Sequence, residues 1–210
     1  MTKLVLASTS PARLRLLRDA GIDPIVIAPG VDEEYVADRA MQAGQISNTA
    51  DLVLLLAKAK AGTVVNHPDA QGALIIGCDS ALDLDGEALG KPHEPEVAIE
   101  RWKAMRGRSG RLYSGHWLID NRVSSPMPPA KGHASNTTVH FAELSDREIL
   151  AYVGTGEPLK VAGAFTIDGL GGAFIKAIEG DAHTVVGLSL TTLRDLCLSL
   201  DVEYPSLWRG

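Results

Sequence analysis

The sequence predicts an α/β protein with a mixed central sheet flanked by helices. Short apolar runs rich in branched residues alternate with longer helical patterns along its 210 residues, which is typical of this class. Asp85 and Gly86 form a strong two-residue hairpin signal, and a hairpin argues against a purely parallel sheet. The length suffices for one sizeable domain, which we expect to contain two lobes.

The first strand and helix have clear boundary signals. Residues 3–7 form a short apolar run and predict a strand. Ser10 follows as an expected N-cap, with Pro11 at the first helical position and Gly21 as the stop signal of a helix over 13–20.

The remaining elements are predicted from the same kinds of pattern. Ser145 and Glu148 form a capping box that opens a helix. Residues 121–134 contain three prolines and few apolar side chains, so they are predicted to be a flexible loop. The later predicted strands are 24–28, 73–78, 112–120, 137–142 and 173–178, and the later predicted helices are 49–65, 94–105, 145–153 and 191–200.

Composition and charge argue against several classes of partner. The formal charge of −6 argues against general nucleic-acid binding, although a local cationic pocket can still hold a small polyanion. No apolar run approaches the roughly 20 residues of a membrane span, so no membrane partner is expected. The start of the chain runs straight into a strand-like segment, and we therefore expect no signal peptide.

Cysteine and histidine usage gives little sign of metal or redox chemistry. The two cysteines, Cys78 and Cys197, form neither a CxxC motif nor a disulfide framework, which favours a cytoplasmic location. Cys78 is predicted to be a small buried filler rather than a nucleophile. The six histidines lack metal-ligand spacing and are predicted to have surface or capping roles.

The segment Gly77 to Pro92 predicts a site for phosphate chemistry. Asp79 follows the apolar run 73–78, and a carboxylate at such a position is costly to bury unless it faces a cleft, a metal or a partner. The hairpin brings Lys91 back beside the same strand, so acid and ammonium are expected to face one pocket. This pairing suits phosphate-ester hydrolysis, in which a carboxylate handles water or metal and a lysine contacts phosphate oxygens.

The first strand–helix junction predicts an anion site. Ser8 and Ser10 precede a helix whose free N–H groups and dipole, worth roughly +0.5 charge, favour a phosphate. Arg13 in the first turn is unfavourable with that dipole unless an anion is bound nearby. A capped helix with a solvated arginine is the alternative interpretation.

Seven segments follow one another between about residue 4 and residue 200: LASTSPARLRLL, GVDEE, LAKAKA, GCDSALDLDGEALGKP, YSGH, YVGTGEPLKVAGAFTIDGLGGAFI and IEGDAHTVVGL. In their order and spacing they resemble the Maf family of nucleoside triphosphate pyrophosphatases. The resemblance implies a fold with two lobes around a cleft, similar to inosine triphosphatases. It also implies cleavage between the α and β phosphates, a divalent cation (Mg²⁺ or Mn²⁺), a homodimer and a link to cell-division arrest.

The resemblance also implies roles for individual residues. Asp79 is implied to accept the proton of the attacking water or to bind the metal. Both roles need an ionised carboxylate, which is expected at neutral pH because an unperturbed Asp titrates near 3.9. Glu33 is implied to be a metal ligand or to orient water. Four residues are implied to bind the phosphates, namely Ser8, Arg13, Lys60 and Lys91.

Three departures from the family pattern bear on specificity. Ala12 stands where the family often has a first arginine, and Ser80 stands where it often has threonine. Asp168 replaces the glutamine of the branch that acts on dTTP and UTP, and an ionised aspartate accepts hydrogen bonds but does not donate them. The base therefore stays open among dTTP or UTP, CTP, modified GTP and a broad range, and a solvated Asp168 with no contact to the base is an equal alternative.

Three functions follow from these patterns. The first is a metal-dependent enzyme that clears non-standard or excess nucleotides by hydrolysis to monophosphate and pyrophosphate. The second is a non-catalytic regulator of cell division and septum formation that binds nucleotides or proteins. The third is a phosphatase that releases inorganic phosphate. Retention of Asp79, Lys91 and Arg13 favours the first, because a pure binder has no need of a water-activating acid.

Overall fold

A computed structural model describes residues 2–123 and 125–209, and Ser124, inside the predicted loop, lies outside them. The strands are β1 (Leu4–Ala7), β2 (Ile25–Val26), β3 (Leu74–Leu84), β4 (Glu87–Leu89), β5 (Ser109–Asp120), β6 (Ala130–Phe141) and β7 (Ile175–Gly180). The α-helices are α1 (Pro11–Asp19), α2 (Glu33–Gln42), α3 (Thr49–Thr63), α4 (Pro95–Met105), α5 (Asp146–Gly154), α6 (Ala182–Val186) and α7 (Leu190–Leu198).

The strands form one mixed sheet, which confirms the predicted fold class. Their order is β2-β1-β3-β5-β6-β7, and β4 pairs with β3. The ladder of β1 is parallel to β2 and to β3, whereas β4 runs antiparallel to β3 and β7 antiparallel to β6. Among the described helices, none is both long and apolar enough to cross a membrane.

The chain divides into two compact units. The first comprises Met1–Asp79, Ser114–Ser135 and Gly187–Gly210, and the second comprises Ser80–Tyr113 and Asn136–Val186. In the first unit, β1 is buried on both faces. Leu4 and Leu6 pack with residues of α1 and α7, while Val5 and Ala7 pack with residues of α3. Burial on both faces explains why β1 is a continuous apolar run rather than an alternating one.

The second unit has a core built around Trp102 of α4. Its indole makes edge-to-face contacts with Phe141, Tyr152 and Phe174 at centroid distances of 5.7, 5.5 and 5.9 Å. The indole N–H donates to the carbonyl oxygen of Ala164 at 2.8 Å, so this buried polar group is satisfied.

Two sequence predictions need correction. The acidic residues after β2 begin a helix that was not predicted, since Asp32 caps α2 by accepting from the amide of Tyr35 at 3.0 Å. The predicted loop over 121–134 is also too long, because β6 begins at Ala130. The capping box of Ser145 and Glu148 is confirmed.

Candidate active site

Helix α3 brings Lys60 against the middle of β3 because Gly77 has no side chain. A Cβ at Gly77 would clash with the carbonyl oxygen of Ala57 and lie 2.7 Å from the amide nitrogen of Ala61. The helix backbone therefore lies directly on the strand. Lys60, in the last turn of α3, consequently reaches Asp79, two residues beyond Gly77 on the same face of β3.

The ammonium of Lys60 bridges two carboxylates. Its Nζ lies 2.6 Å from Oδ1 of Asp79 and 2.9 Å from Oε1 of Glu33. The side chains of Lys60 and Asp79 are 7% and 12% exposed, whereas that of Glu33 is 44% exposed. Glu33 is the first residue of α2, so the unpredicted helix is the element that positions it. Three residues that the sequence placed in one site are therefore in contact.

Burial sets the protonation behaviour of Cys78 and Asp79 in the middle of β3. Burial raises the pKa of Asp79 above its usual value, and Glu33 adds to the rise, while the charges of Lys60 and Arg13 oppose it. The unperturbed titration expected for Asp79 is therefore wrong. Burial also raises the pKa of Cys78 to about 11, so this thiol is a neutral core residue as predicted.

Arg13 is buried and bound to protein acceptors, so its interpretation as a solvated arginine is wrong. Its side chain donates from Nε to the carbonyl oxygen of Gly187 at 2.8 Å. Its Nη1 donates to Oγ of Ser8 at 3.1 Å and to the carbonyl oxygen of Cys78 at 2.9 Å. Ser10 caps α1 as predicted, accepting from the amide of Arg13 at 3.4 Å. The arginine thus connects the end of β1, the middle of β3 and the segment before α7.

The other predicted site residues lie elsewhere. Ala12 is half-buried in the first turn of α1. Ser80, Lys91 and Asp168 belong to the second unit. The predicted hairpin is confirmed, with Leu82 opposite Leu89, and exposed Lys91 follows β4. Asp168 is exposed and accepts a hydrogen bond from Oγ1 of Thr166. The shared pocket of Asp79 and Lys91 stays a prediction.

His116 on β5 is buried beside Arg13 in the first unit, and sequence reasoning missed it. It is 0% exposed, which contradicts the surface or capping role predicted for the histidines. Its Nε2 accepts the amide hydrogen of Ser189 at 2.8 Å. The signal available in the sequence was its place inside the otherwise apolar run GHWLI, where a histidine is expected to face the core on one of the two sides of the strand.

The carboxylates suit a cation that is bound together with phosphate. No group of three or more His, Cys, Asp or Glu side chains within residues 2–123 and 125–209 could hold a metal ion by itself. Asp79 and Glu33 offer two hard oxygen-donor groups around one point, which Lys60 Nζ now occupies. Mg²⁺ is usually bound by one or two carboxylates together with phosphate oxygens of the substrate. Asp79 and Glu33 therefore fit a cation that binds along with the substrate, rather than one held by protein ligands alone.

Comparison with known proteins identifies the family. The family model described as Maf-like protein matches residues 3–200. A nucleoside triphosphate pyrophosphatase from Leifsonia xyli is 54% identical over 209 residues, covering 98% of this chain and 96% of the relative. One from Streptomyces avermitilis is 52% identical, covering 98% and 94%. A solved Ham1 protein of Staphylococcus aureus covers 95% of both chains at 14% identity, but its TM-score of 0.41 is too low to support an inference. Because the family match spans nearly all of the sequence, this chain belongs to the Maf family.

Proposed function

We propose that this protein is a nucleoside triphosphate pyrophosphatase, which hydrolyses the bond between the α and β phosphates and releases monophosphate and pyrophosphate. Family membership and the names of relatives at 54% and 52% identity support this activity. The observation that carries it in the structure is the buried ammonium of Lys60 held between Asp79 and Glu33. Such a cluster supplies both a base and a cation within a few ångströms, as phosphate cleavage requires.

In this proposal Asp79 accepts the proton of the attacking water. A general base works best when its pKa approaches the working pH, and burial moves the pKa of Asp79 in that direction. In the absence of substrate, Lys60 favours the ionised carboxylate and so opposes the rise in the pKa of Asp79 that burial causes. When a triphosphate enters, its oxygens compete for the same ammonium, which frees Asp79 to contact water.

Ser8 and Arg13 form the anion side of the site. The Oγ of Ser8 accepts from Arg13 Nη1 and from the amide of Ser10 at 3.2 Å. With both lone pairs engaged, the hydroxyl proton is directed toward a further acceptor, and a phosphate oxygen is such an acceptor. The family resemblance supports Lys91, an exposed cation, as a further phosphate contact.

A divalent cation, Mg²⁺ or Mn²⁺, would be held by Asp79 and Glu33 together with the substrate phosphates. When bound, it would supply charge neutralisation on the phosphate oxygens. Exposed Glu33 can rotate between Lys60 and such a cation, whereas buried Asp79 is fixed.

The biological setting completes the proposal. The acidic net charge supports a free nucleotide, rather than a nucleic acid, as the partner. Cysteine usage supports a cytoplasmic location. The family resemblance supports a homodimer, removal of non-standard or excess nucleotides and a link to cell-division arrest.

The test is product analysis on a panel of ribo- and deoxyribonucleoside triphosphates with Mg²⁺, Mn²⁺ or chelator, scoring pyrophosphate against inorganic phosphate. We expect pyrophosphate release that requires the cation. Asp79→Asn is expected to abolish it while retaining binding of an α,β-methylene triphosphate. Glu33→Gln is expected to lower the rate, whereas Glu34→Gln, one residue along in the same helical turn, serves as the matched control. Inorganic phosphate as the product, or binding without cleavage of any triphosphate, would refute the proposal.

A further inference from the structure

A buried histidine has one specific partner next to the candidate site. His116 lies on β5 with no exposed surface, and its Nε2 accepts the amide hydrogen of Ser189 at 2.8 Å. An accepting Nε2 requires that the ring proton reside on Nδ1. Within the described residues, Nδ1 is a buried side-chain nitrogen without a hydrogen-bond partner. The bond to Ser189 is thus the hydrogen bond that Nε2 makes with the fold.

The segment 187–189 is held from both ends by side chains. At one end, the carbonyl oxygen of Gly187 accepts from Nε of Arg13 at 2.8 Å. At the other end, Ser189 is bound to His116 and caps α7, its Oγ accepting from the amide of Thr192 at 3.1 Å. Gly187 has a φ of 111°, which glycine adopts readily and other residues rarely do, so the segment bends at a residue that is free to move unless it is anchored.

Arg13 carries the effect of this segment to the site. The guanidinium that binds Gly187 also binds the carbonyl oxygen of Cys78 and Oγ of Ser8. Cys78 directly precedes Asp79 in β3. Since a guanidinium is a rigid planar fork, a shift at Gly187 is transmitted to both of its other acceptors.

The ring is kept neutral, as an acceptor must be. Burial, together with the nearby charge of Arg13, lowers the pKa of His116 to about 4, although backbone hydrogen bonding from Ser114 and His133 opposes the shift. The imidazole therefore retains its Nε2 lone pair throughout the neutral range.

We propose that His116 is a positioning residue for the candidate active site: by fixing the amide of Ser189 it sets the segment 187–189, and through Gly187 and Arg13 it aligns Ser8 and the part of β3 that carries Asp79. This inference rests on the proposed pyrophosphatase activity for its kinetic consequence. Its structural part stands independently of that activity.

The test uses the different lengths of the glutamine and asparagine side chains. In His116→Gln the side-chain oxygen can take the place of Nε2 and accept from Ser189, whereas in His116→Asn it ends near the place of Nδ1 and leaves that amide unpaired. We expect His116→Asn to lower kcat for pyrophosphate release by about tenfold with a smaller change in KM, and His116→Gln to stay within about twofold of the parent. Leu118→Ala, which creates a cavity two residues along the same strand, controls for general loss of stability.

Two measurements separate failure of this inference from failure of the proposed function. Hydrogen exchange of the Ser189 amide is expected to be slow in the parent and in His116→Gln and fast in His116→Asn, and ¹⁵N NMR is expected to show a neutral ring protonated on Nδ1. Neither readout needs catalysis. The positioning role would be overturned if the two amide variants had equal kcat values. It would also be overturned if Leu118→Ala lost as much kcat as His116→Asn at matched stability, or if the Ser189 amide of the parent exchanged quickly. A parent that releases no pyrophosphate would refute the function alone.

Discussion

The ammonium of Lys60 lies 2.6 Å from the carboxylate of Asp79, and this buried contact depends on a glycine two residues before the aspartate. The two charges come from α3 and β3, 19 residues apart in sequence. Removing a charge pair from water is costly, and good geometry is needed to offset that cost. The close approach of helix to strand at Gly77 provides this geometry. The packing of α3 on β3 therefore determines the position of the two charged groups of the candidate site.

The first prediction concerns that close approach. Gly77→Ala is expected to destabilise the protein by about 3 kcal/mol, because the new methyl group meets helix backbone that has no room to move. It is also expected to lower pyrophosphate release by withdrawing Lys60 from Asp79. Gly62→Ala in the same helix is the control, since a Cβ there meets nothing within 4 Å and is expected to be stabilising. Urea unfolding and initial rates of both variants check this, and equal stabilities for the two would contradict it.

The second prediction concerns the charge pair itself. Lys60→Met leaves the carboxylate of Asp79 buried without its counter-ion, which is expected to cost about 3 kcal/mol in the free energy of unfolding. The double variant Lys60→Met/Asp79→Asn is expected to recover most of this loss, because neither charge is then left unpaired. Urea unfolding of the four proteins gives the coupling energy, and additive effects of the two substitutions would refute the pairing.

The pH dependence of Lys60→Met follows from the same carboxylate. The folded protein holds the proton on Asp79 at higher pH than the unfolded chain does, since burial raises the pKa of this group and the substitution removes the largest opposing charge. Stability therefore falls as pH rises through the interval between the usual Asp value and the raised one. We expect the stability loss relative to the parent to be larger at about pH 8 than at about pH 5. A loss independent of pH would contradict this assignment.

The third prediction concerns Arg13. Arg13→Lys replaces a planar fork with a single ammonium that cannot span Gly187, Cys78 and Ser8 together, so buried acceptors lose their donors. We expect a loss of about 2 kcal/mol in unfolding free energy and a lowered kcat. Arg18→Lys in the same helix is the control, because Arg18 makes a surface ion pair with Asp23 and no measurable change is expected there. If Arg13→Lys left both the unfolding free energy and kcat unchanged, the planar guanidinium of Arg13 would not be needed.

Local patterns predicted most of the fold. Caps, prolines and apolar runs identified nearly every strand and helix, and the Asp85 and Gly86 pair identified the hairpin, because these signals act over a few residues. Helix α2 was not predicted: its sequence EEYVADRAMQ buries Ala40 alone, so it has no clear apolar face, and its strongest signal is the capping residue Asp32.

The candidate site was predicted in part. Family resemblance named Lys60, Asp79 and Glu33, but no sequence pattern shows that one ammonium bridges both carboxylates, since this depends on the fit of α3 to β3. His116 was missed for a related reason. Alternation along a strand does not tell which polar residue faces the core until the neighbouring layers are known.

The last prediction uses His116 as a probe of acid stability. Burial lowers the pKa of this histidine from 6.5 to about 4, so between these values the unfolded chain binds a proton that the folded protein does not. Stability from this group is thus fully present above 6.5 and is lost as pH falls toward 4, with a total on the order of 3 kcal/mol. His116→Gln cannot titrate and is expected to flatten the stability profile in this interval. Urea unfolding of parent and variant across this range measures the difference. Parallel profiles would mean that the folded protein and the unfolded chain bind this proton equally, which would contradict a buried ring whose Nε2 accepts from Ser189.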